Sequence, residues 1–538
     1  MQKNQRYTLR CDRLGSELEG VCTHEGMAVF VPGALPGETV DALCVKTQPR
    51  YAFGRLMGIV NPSPDRVRPA CPVYEKCGGC SGQHMRYQAT LDAKRAQVED
   101  CLRRIGGLEN PMVPPVLGAE NPWQCRNKTA LPVGGSASEP LIGFYRRRSH
   151  DIVPVSHCDV AMPGLDGVLT AVRQWIQIAH VPPYQEESGR GLLRHVVVRT
   201  NRAGDIMVVL CLTRDALPDP EMLIDLLKQQ APGFCSLHIS VNSARNNVIL
   251  GKTSRKLYGR DAICEILLGL QFEIFPLSFF QVNPAQTQRL YQTAIDFACL
   301  RPADTVVDAY AGAGTISLCM AQKCKQVVGI EIVPQAIEGA RRNTAANGIT
   351  NAVFYTAAVE DLLPKLVTNG LCPDVVVLDP PRKGVEPPVI QAVLAARPRR
   401  VVYVSCHVPT QARDIKLLCD GGYRMERCQP VDMFCYAGGV ENVAVLSKPS
   451  MPTAQPIDGR CQRAVFHAMP RPSCKVMGGR AMTRLLHSSS PVCKLVQCTA
   501  RVIWVPFCRA SGSGLLILTM INSPSSPRLY HVQPSSMA

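Results

Sequence analysis

Several features are scarce or missing in this sequence. It has no uninterrupted apolar run of about 18 residues, the length that a membrane-spanning helix needs. The first residues, MQKNQRYTLRCDRLG, lack the apolar stretch of a secretion signal. We therefore expect a cytoplasmic protein with no membrane partner, and nothing in the sequence indicates an obligate protein partner.

Cysteine is abundant, but its distribution excludes a secreted disulfide scaffold. Such scaffolds are short chains dense in cysteine, whereas the 25 cysteines here are spread over 538 residues, many in apolar segments such as VVLCL and SLCMAQKC. Reduced thiols are therefore expected. Two patterns differ from the rest: CPVYEKCGGC contains Cys71, Cys77 and Cys80, and the apolar run VVYVSC ends at Cys406.

The length of the chain and the changes in its residue pattern divide it into four parts. A chain of 538 residues exceeds one ordinary hydrophobic core. We predict a β-barrel in residues 1–60, a cysteine-bearing, β-rich central domain in 61–275, and an α/β domain in 276–449. Residues 450–538 show no sustained period and are predicted to be a disordered or non-homologous tail.

The net charge of +16 favours a polyanionic partner. No Asp or Glu follows Asp458, however, so the tail carries much of the excess positive charge.

The first part has the alternation of a small barrel. Val31, Val40, Leu43 and Val45 recur around the turns GALPGE and QPR. Small barrels of this kind often bind oligonucleotides, and charged side chains mixed with an aromatic fit that role. The side chains concerned are Lys46, Arg50, Tyr51 and Arg55. A purely stabilising β-module with solvated charges is the alternative.

Residues 276–449 alternate five buried strands with four helices, which predicts a mostly parallel, doubly wound sheet with ligands at the strand C-termini. DAYAGAG, Asp308 to Gly314, joins a strand to a helix through a glycine-rich turn. Glu331 ends the next strand, where an acid suits a ribose diol. The third glycine of a dinucleotide motif is missing, so S-adenosylmethionine is the favoured ligand.

LDPPRKG follows another buried strand. Its two prolines fix the turn and direct Asp379 into the crevice. A simple rigid loop is the alternative. Enzymes that methylate exocyclic amines carry an aromatic residue after a similar acid-Pro-Pro turn, whereas Arg382 occupies that position here. Amine methylation is therefore disfavoured.

Cys406 ends the following strand and is the candidate nucleophile, although a single apolar cysteine often belongs to a core. C5 of a pyrimidine attacks a sulfonium methyl only after a thiolate has added at C6. A base must then remove the C5 proton so that the thiol can leave. Glu441, in DMFCYAGGVENVAVL just before the last strand, is the candidate base.

The three clustered cysteines predict a metal site. Iron-sulfur clusters of the four-iron type need four thiolates, and Cys158, in the loop-like VSHCDVAMP, is the best fourth candidate. The unequal spacing favours a 4Fe-4S cluster over paired zinc ligands. Zinc and no metal remain the alternatives.

These motifs together resemble the bacterial RNA uracil-C5 methyltransferases, particularly the branch that acts on 23S ribosomal RNA. The resemblance covers residues 1 to about 448 and includes RNKTALPVG, FYRRRSHDIVPVSHC, SFFQVNPAQTQRLY and VSCHVPTQARD. It implies an N-terminal TRAM (OB-like) barrel, a β-rich central domain with a four-iron cluster, and a Rossmann-like S-adenosylmethionine-dependent methyltransferase domain.

The resemblance also implies roles for single residues. Four would contact S-adenosylmethionine or line its site: Gln281, Tyr310, Glu331 and Asp379. Cys406 would be the nucleophile and Glu441 the proton acceptor. Cys71, Cys77, Cys80 and Cys158 would hold the cluster. Thr315 departs from relatives that carry Asn, so no role is implied there.

Barrel and cluster together favour ribosomal RNA over transfer RNA, because the tRNA branch typically lacks both. A tRNA uracil-C5 methyltransferase, a cytosine-C5 methyltransferase and a noncatalytic iron-sulfur RNA-binding protein are the alternatives. An intact pair of Cys406 and Glu441 argues against the noncatalytic alternative.

Overall fold

The structure is a computed structural model that describes residues 1–448. The predicted tail, residues 450–538, lies outside the described residues. Among the helices that are described, none has both the length and the apolar character to cross a membrane.

The N-terminal part is a closed five-stranded barrel with strand order β1-β2-β3-β5-β4, as predicted. Its strands are β1 (Arg6–Leu14), β2 (Gly20–His24), β3 (Met27–Val31), β4 (Thr39–Thr47) and β5 (Tyr51–Asn61). Val31 and Val40 are buried inside, but Val45 is 39% exposed. The predicted grouping of Leu43 and Val45 with Val40 was wrong, because inward residues of a strand recur every second position and Val40 is followed inward by Ala42 and Cys44.

One long helix follows the cysteine-rich segment. This helix is α1 (Tyr87–Arg104). It buries Lys94 completely, and the Lys94 Nζ lies 2.5 Å from Oδ1 of Asp432, which is also fully buried. Breaking a buried ion pair by removing one partner costs roughly 3–5 kcal/mol. The pair therefore fixes α1 to the C-terminal domain.

The central part is β-rich, as predicted, and forms a seven-stranded sheet of order β12-β11-β10-β9-β6-β7-β8. The bounds are β6 (Lys128–Gly135), β7 (Pro140–Tyr145), β8 (Ile152–Pro154), β9 (Leu193–Thr200), β10 (Ile206–Leu212), β11 (Phe234–Val241) and β12 (Arg255–Gly259). Helices α2 (Leu165–Ile178) and α3 (Pro220–Gln230) pack on it. A hairpin of β13 (Ile263–Leu267) and β14 (Leu270–Ile274) leads into the last domain.

The C-terminal domain is a seven-stranded sheet of order β17-β16-β15-β18-β19-β21-β20. Its strands are β15 (Thr305–Asp308), β16 (Gln326–Glu331), β17 (Ala352–Thr356), β18 (Val375–Leu378), β19 (Arg400–Ser405), β20 (Arg424–Val431) and β21 (Glu441–Ser447). Its helices are α4 (Pro284–Ala298), α5 (Thr315–Ala321), α6 (Pro334–Ala346), α7 (Val359–Thr368), α8 (Pro387–Ala396) and α9 (Val408–Asp420). Strands β15 to β19 are parallel, and β21 runs antiparallel to both β19 and β20. The predicted α/β sheet is confirmed.

The domain has two strands and two helices more than the five strands and four helices that its sequence pattern predicts. Strands β17 and β20 are the two edges of the sheet. Edge strands expose part of their side chains: β17 has only five residues, of which one is buried, and charged residues interrupt the apolar ones of β20. Helix α7 contains Pro364, a residue that normally marks a helix boundary.

Candidate active site

The candidate site is a crevice at the C-terminal edge of the parallel strands. From β15 the chain winds outward to β16 and β17, and it then returns to β18 and β19 on the other side of β15. Ligands of doubly wound sheets bind at such a reversal of strand order. Asp308, Asp379 and Cys406 follow or end β15, β18 and β19 at this edge.

The glycine-rich turn after β15 and the acid that ends β16 are in direct contact. The amide of Gly312 donates a hydrogen bond of 3.1 Å to Oε2 of Glu331, and the Val333 amide donates one of 2.9 Å to Oε1. Gly314 adopts φ +78°, and an added Cβ would lie 3.0 Å from the Phe354 ring. A side chain at position 314 would therefore disturb both the backbone and the packing.

Two residues behind this turn were not identified from the sequence as functional. Asp308 is buried, its Oδ2 accepts a 2.5 Å hydrogen bond from Ser317, and its Oδ1 has no partner. Burial raises the pKa of Asp308 to about 6. The Tyr291 hydroxyl lies 2.9 Å from Oγ1 of Thr315, and burial, followed by the charge of Asp379, raises the pKa of Tyr291 well above its ordinary value. Tyr291 therefore links α4 to the first residue of α5.

The two-proline turn carries Asp379 and Arg382. Helix α9 holds this turn, because Thr410 donates a 3.1 Å hydrogen bond to the Arg382 carbonyl and Asp414 accepts one of 2.8 Å from the Val385 amide. Burial raises the pKa of Asp379 well above its ordinary value, and Glu441 adds to the increase. The Arg382 side chain is exposed at the crevice.

Cys406 lies between β19 and α9 and is partly exposed. Burial raises the pKa of its thiol and Glu441 adds to the increase, whereas a hydrogen bond from Arg382 and its positive charge oppose it. Arg382 is therefore the residue that favours the thiolate. In the sequence, Arg382 stands out only because it replaces an aromatic residue. Nothing in the sequence indicates that its side chain lies beside Cys406.

Glu441 is the first residue of β21 and is 3% exposed. Because β21 is antiparallel to β19, with Asn442 paired to Ser405, the start of β21 lies at the same edge as the end of β19. The structure thus brings Glu441 next to Cys406. Burial raises the pKa of Glu441 to about 7, Arg382 opposes this, and Oε2 has no hydrogen-bond partner.

Gln281 lies in the loop between β14 and α4 and is 7% exposed. Asn127 holds this loop, since its Nδ2 donates a 2.9 Å hydrogen bond to the Gln281 carbonyl and its amide donates one of 2.7 Å to that of Val282. Phe279 in the same loop is 72% exposed. An exposed aromatic ring two residues from a candidate cofactor contact is available for stacking.

The four cysteines of the predicted cluster line one cavity of about 30 Å³: Cys71, Cys77, Cys80 and Cys158. The amide of Gly79 donates a 3.3 Å hydrogen bond to the Cys77 thiol, and Arg126 also lines the cavity. Within residues 1–448, no three or more His, Cys, Asp or Glu side chains are gathered into a site for a metal ion.

The barrel offers a basic and aromatic surface. Lys46, Arg50, Tyr51 and Arg55 are all exposed. The rings of Phe30, Tyr51 and Phe53 contact one another, and the guanidinium of Arg148 from the central domain lies 5.0 Å from the Phe53 ring centre. This surface has the composition that single-stranded nucleic acid binds.

The doubly wound sheet, with a glycine-rich turn against an acid at its crevice, fits the class of methyltransferases that use S-adenosylmethionine. A structure of the Pyrococcus abyssi tRNA (uracil-54, C5)-methyltransferase in complex with S-adenosyl-L-homocysteine has this fold, with a TM-score of 0.67 and 26% identity. That match covers 82% of this chain and all of the other.

The sequence comparisons give the family. The profile of the tRNA (Uracil-5-)-methyltransferase family matches residues 268–449, and that of the TRAM domain matches residues 2–57. An RNA methyltransferase from Listeria innocua is 43% identical over 448 residues, 83% of this chain and 98% of that protein. One from Clostridium tetani is 42% identical, over 83% and 97% of the two chains. The chain belongs to the RNA uracil-C5 methyltransferase family.

Proposed function

We propose that the protein methylates C5 of a uracil in 23S ribosomal RNA in the cytoplasm. The observation that carries the uracil-C5 chemistry is the convergence of Cys406, Arg382 and Glu441 at one sheet edge. A noncatalytic RNA-binding protein has no need for a thiol, a guanidinium and a buried carboxyl at one edge of a sheet. Gln281, Tyr310, Glu331 and Asp379 are proposed to line the cofactor site of the same crevice.

In the proposed mechanism, the Cys406 thiolate adds to C6 of the uracil, which makes C5 nucleophilic. Bound S-adenosylmethionine supplies an electrophilic sulfonium methyl. After methyl transfer, the carboxylate of Glu441 removes the C5 proton, and the bond between C6 and the Cys406 sulfur breaks. The thiol and the 5-methyluracil are thereby released.

Arg382 acts on both the first and the last step of this reaction. Its positive charge lowers the pKa of the Cys406 thiol and so favours the thiolate before addition. The same charge opposes the rise in the pKa of Glu441 and so keeps a larger fraction of that base ionised. The exposed guanidinium of Arg382 thus opposes the rise in pKa that burial causes at both Cys406 and Glu441.

Two RNA classes fit this chemistry. The barrel combined with a four-thiol cavity supports ribosomal RNA, because the resemblance associates both with that branch. The likeness to a tRNA-directed enzyme over 82% of this chain favours transfer RNA as the second candidate.

Mapping of 5-methyluridine tests the proposal. RNA from cells with and without this protein is digested, and the modified positions in 23S rRNA and tRNA are compared. We expect at least one 5-methyluridine of 23S rRNA to disappear while those of tRNA persist. Loss in tRNA alone supports the second candidate, and loss of 5-methylcytidine instead contradicts the uracil assignment.

The four-thiol cavity is proposed to hold a 4Fe-4S cluster. Its donor set fits, since such clusters are bound by four cysteine thiolates, and four cysteines from two distant segments line one space. A single zinc ion needs thiolates about 2.3 Å from one centre. The four thiols of the cavity therefore support the proposal through their number and their shared space.

Anaerobically purified protein is therefore expected to be brown and to contain about four iron atoms per chain. Replacing Cys158 with Ser is expected to lower both the iron content and the visible absorbance. Cys125→Ser, at another partly exposed cysteine of the same hydrophobic cluster, serves as the control and should retain the iron. Stoichiometric zinc without iron would refute the assignment.

A further inference from the structure

The loop that precedes the candidate base contains an unusual backbone conformation. Residues 432–440 connect β20 to β21, and Val431 pairs with Glu441 across the base of this loop. Within it, Tyr436 adopts φ +57° although it is not a glycine. The left-handed region is disfavoured for residues with a Cβ, and it persists only where surrounding contacts hold it.

The contacts that hold Tyr436 come from the cysteine-rich segment. Its carbonyl accepts hydrogen bonds from two consecutive amides, those of Ser81 at 2.8 Å and Gly82 at 2.9 Å. These amides directly follow Cys80, which lines the four-thiol cavity. The Tyr436 ring also lies 4.4 Å from the ring of Trp123, between ring centres.

The remainder of the loop is fixed from several sides. The carboxylate of Asp432 accepts hydrogen bonds from Lys94 and from the Tyr87 hydroxyl, both at 2.5 Å. Lys94 also donates to the Phe434 carbonyl at 2.9 Å. On the barrel side, a Cβ added to Gly438 would lie 2.4 Å from the Ser16 carbonyl oxygen, so the two backbones are in close contact.

We propose that Tyr436 is a positioning residue for the general base Glu441, and that the amides of Ser81 and Gly82 hold it in place. The cysteine-rich segment thereby acts on the proton-removal step. This inference rests on the proposed function, because it assigns a support to the base of that mechanism. A general base must lie within hydrogen-bond reach of its proton, whereas thiol addition and methyl transfer depend on residues that the loop does not carry.

Two substitutions of Tyr436 isolate the backbone effect. Tyr436→Val and Tyr436→Asn both remove the ring, but Asn tolerates the left-handed region and a β-branched residue does not. RNA is incubated with each variant and with S-adenosylmethionine labelled in the methyl group. The methylated covalent adduct is then measured on a denaturing gel, together with free 5-methyluridine and cofactor affinity.

We expect Tyr436→Val to resolve its methylated adduct about tenfold more slowly than Tyr436→Asn, with equal affinity for the cofactor. Equal rates of resolution in the two variants would overturn the inference. Glu441→Gln is included as the reference for a stalled elimination. If Glu441→Gln forms no adduct, the assignment of Glu441 as the base is wrong and the inference fails with it. If Glu441→Gln forms the adduct but the two Tyr436 variants resolve theirs at the same rate, only the inference fails.

A second variant guards against misfolding of Tyr436→Val. Gly438→Ala must displace the same loop from the barrel backbone, whereas Gly58→Ala places its methyl group in open space and serves as the control. Slower adduct resolution in Gly438→Ala than in Gly58→Ala supports the inference. Unchanged resolution in a folded Gly438→Ala protein contradicts it.

Discussion

A Cys406→Ala variant is expected to lose the formation of 5-methyluridine by a factor of roughly 10³ or more. The thiol is the only crevice group proposed to form a bond to the substrate, and without addition at C6 the C5 carbon does not attack the sulfonium methyl. Cofactor affinity is expected to persist, because Glu331 is held by the amides of Gly312 and Val333 rather than by Cys406.

The measurement is the transfer of labelled methyl groups to RNA, with cofactor binding determined in parallel. Cys419→Ala is the matched control, since Cys419 lies on α9 and is also partly exposed. It packs against the hydrophobic cluster between the sheet and helices α7, α8 and α9. Retained methylation by Cys406→Ala would exclude covalent catalysis through this thiol, whereas loss in both variants would indicate damage to the fold.

The residue chemistry of the crevice is visible in the sequence, but its geometry is not. Cys406 and Asp379 could be predicted to share an edge, because both follow buried strands in a parallel pattern. The pairing of Glu441 with Cys406 depends instead on the reversed direction of β21. A regular alternation of strands and helices predicts parallel neighbours, so this reversal has no local signal.

Arg382 and Tyr436 show two further limits. Arg382 follows Asp379 in the sequence, yet its contact with the thiol arises because α9 fixes the turn of the two prolines. Tyr436 has no residue preference that indicates a left-handed conformation, and its support comes from amides far away in the chain. Both properties are set by tertiary contacts rather than by local propensity.

A Glu441→Gln variant is expected to accumulate the methylated covalent adduct. The amide has nearly the shape of the carboxyl but does not accept the C5 proton, so thiol addition and methyl transfer proceed and elimination stalls. The adduct is measured as RNA-linked protein that carries the labelled methyl group. Glu426→Gln, at an exposed acid on the neighbouring strand β20, is the control and should release its product normally. Normal product release by Glu441→Gln would assign the base elsewhere.

The pH dependence of adduct resolution gives the same assignment a second readout. Burial raises the pKa of Glu441 to about 7, and a general base acts only when ionised. Lowering the pH from 8 to 6 therefore reduces the ionised fraction of this carboxyl to about one tenth, and the wild-type rate of resolution should fall in proportion. Because the pKa of Cys406 is also raised, the addition step should gain from higher pH as well. Single-turnover measurement of the two steps separates them. In Glu441→Gln the addition step should keep its pH dependence, whereas the adduct should persist over the whole range from pH 6 to 8, since the carboxyl titrates in one step and the thiol in the other.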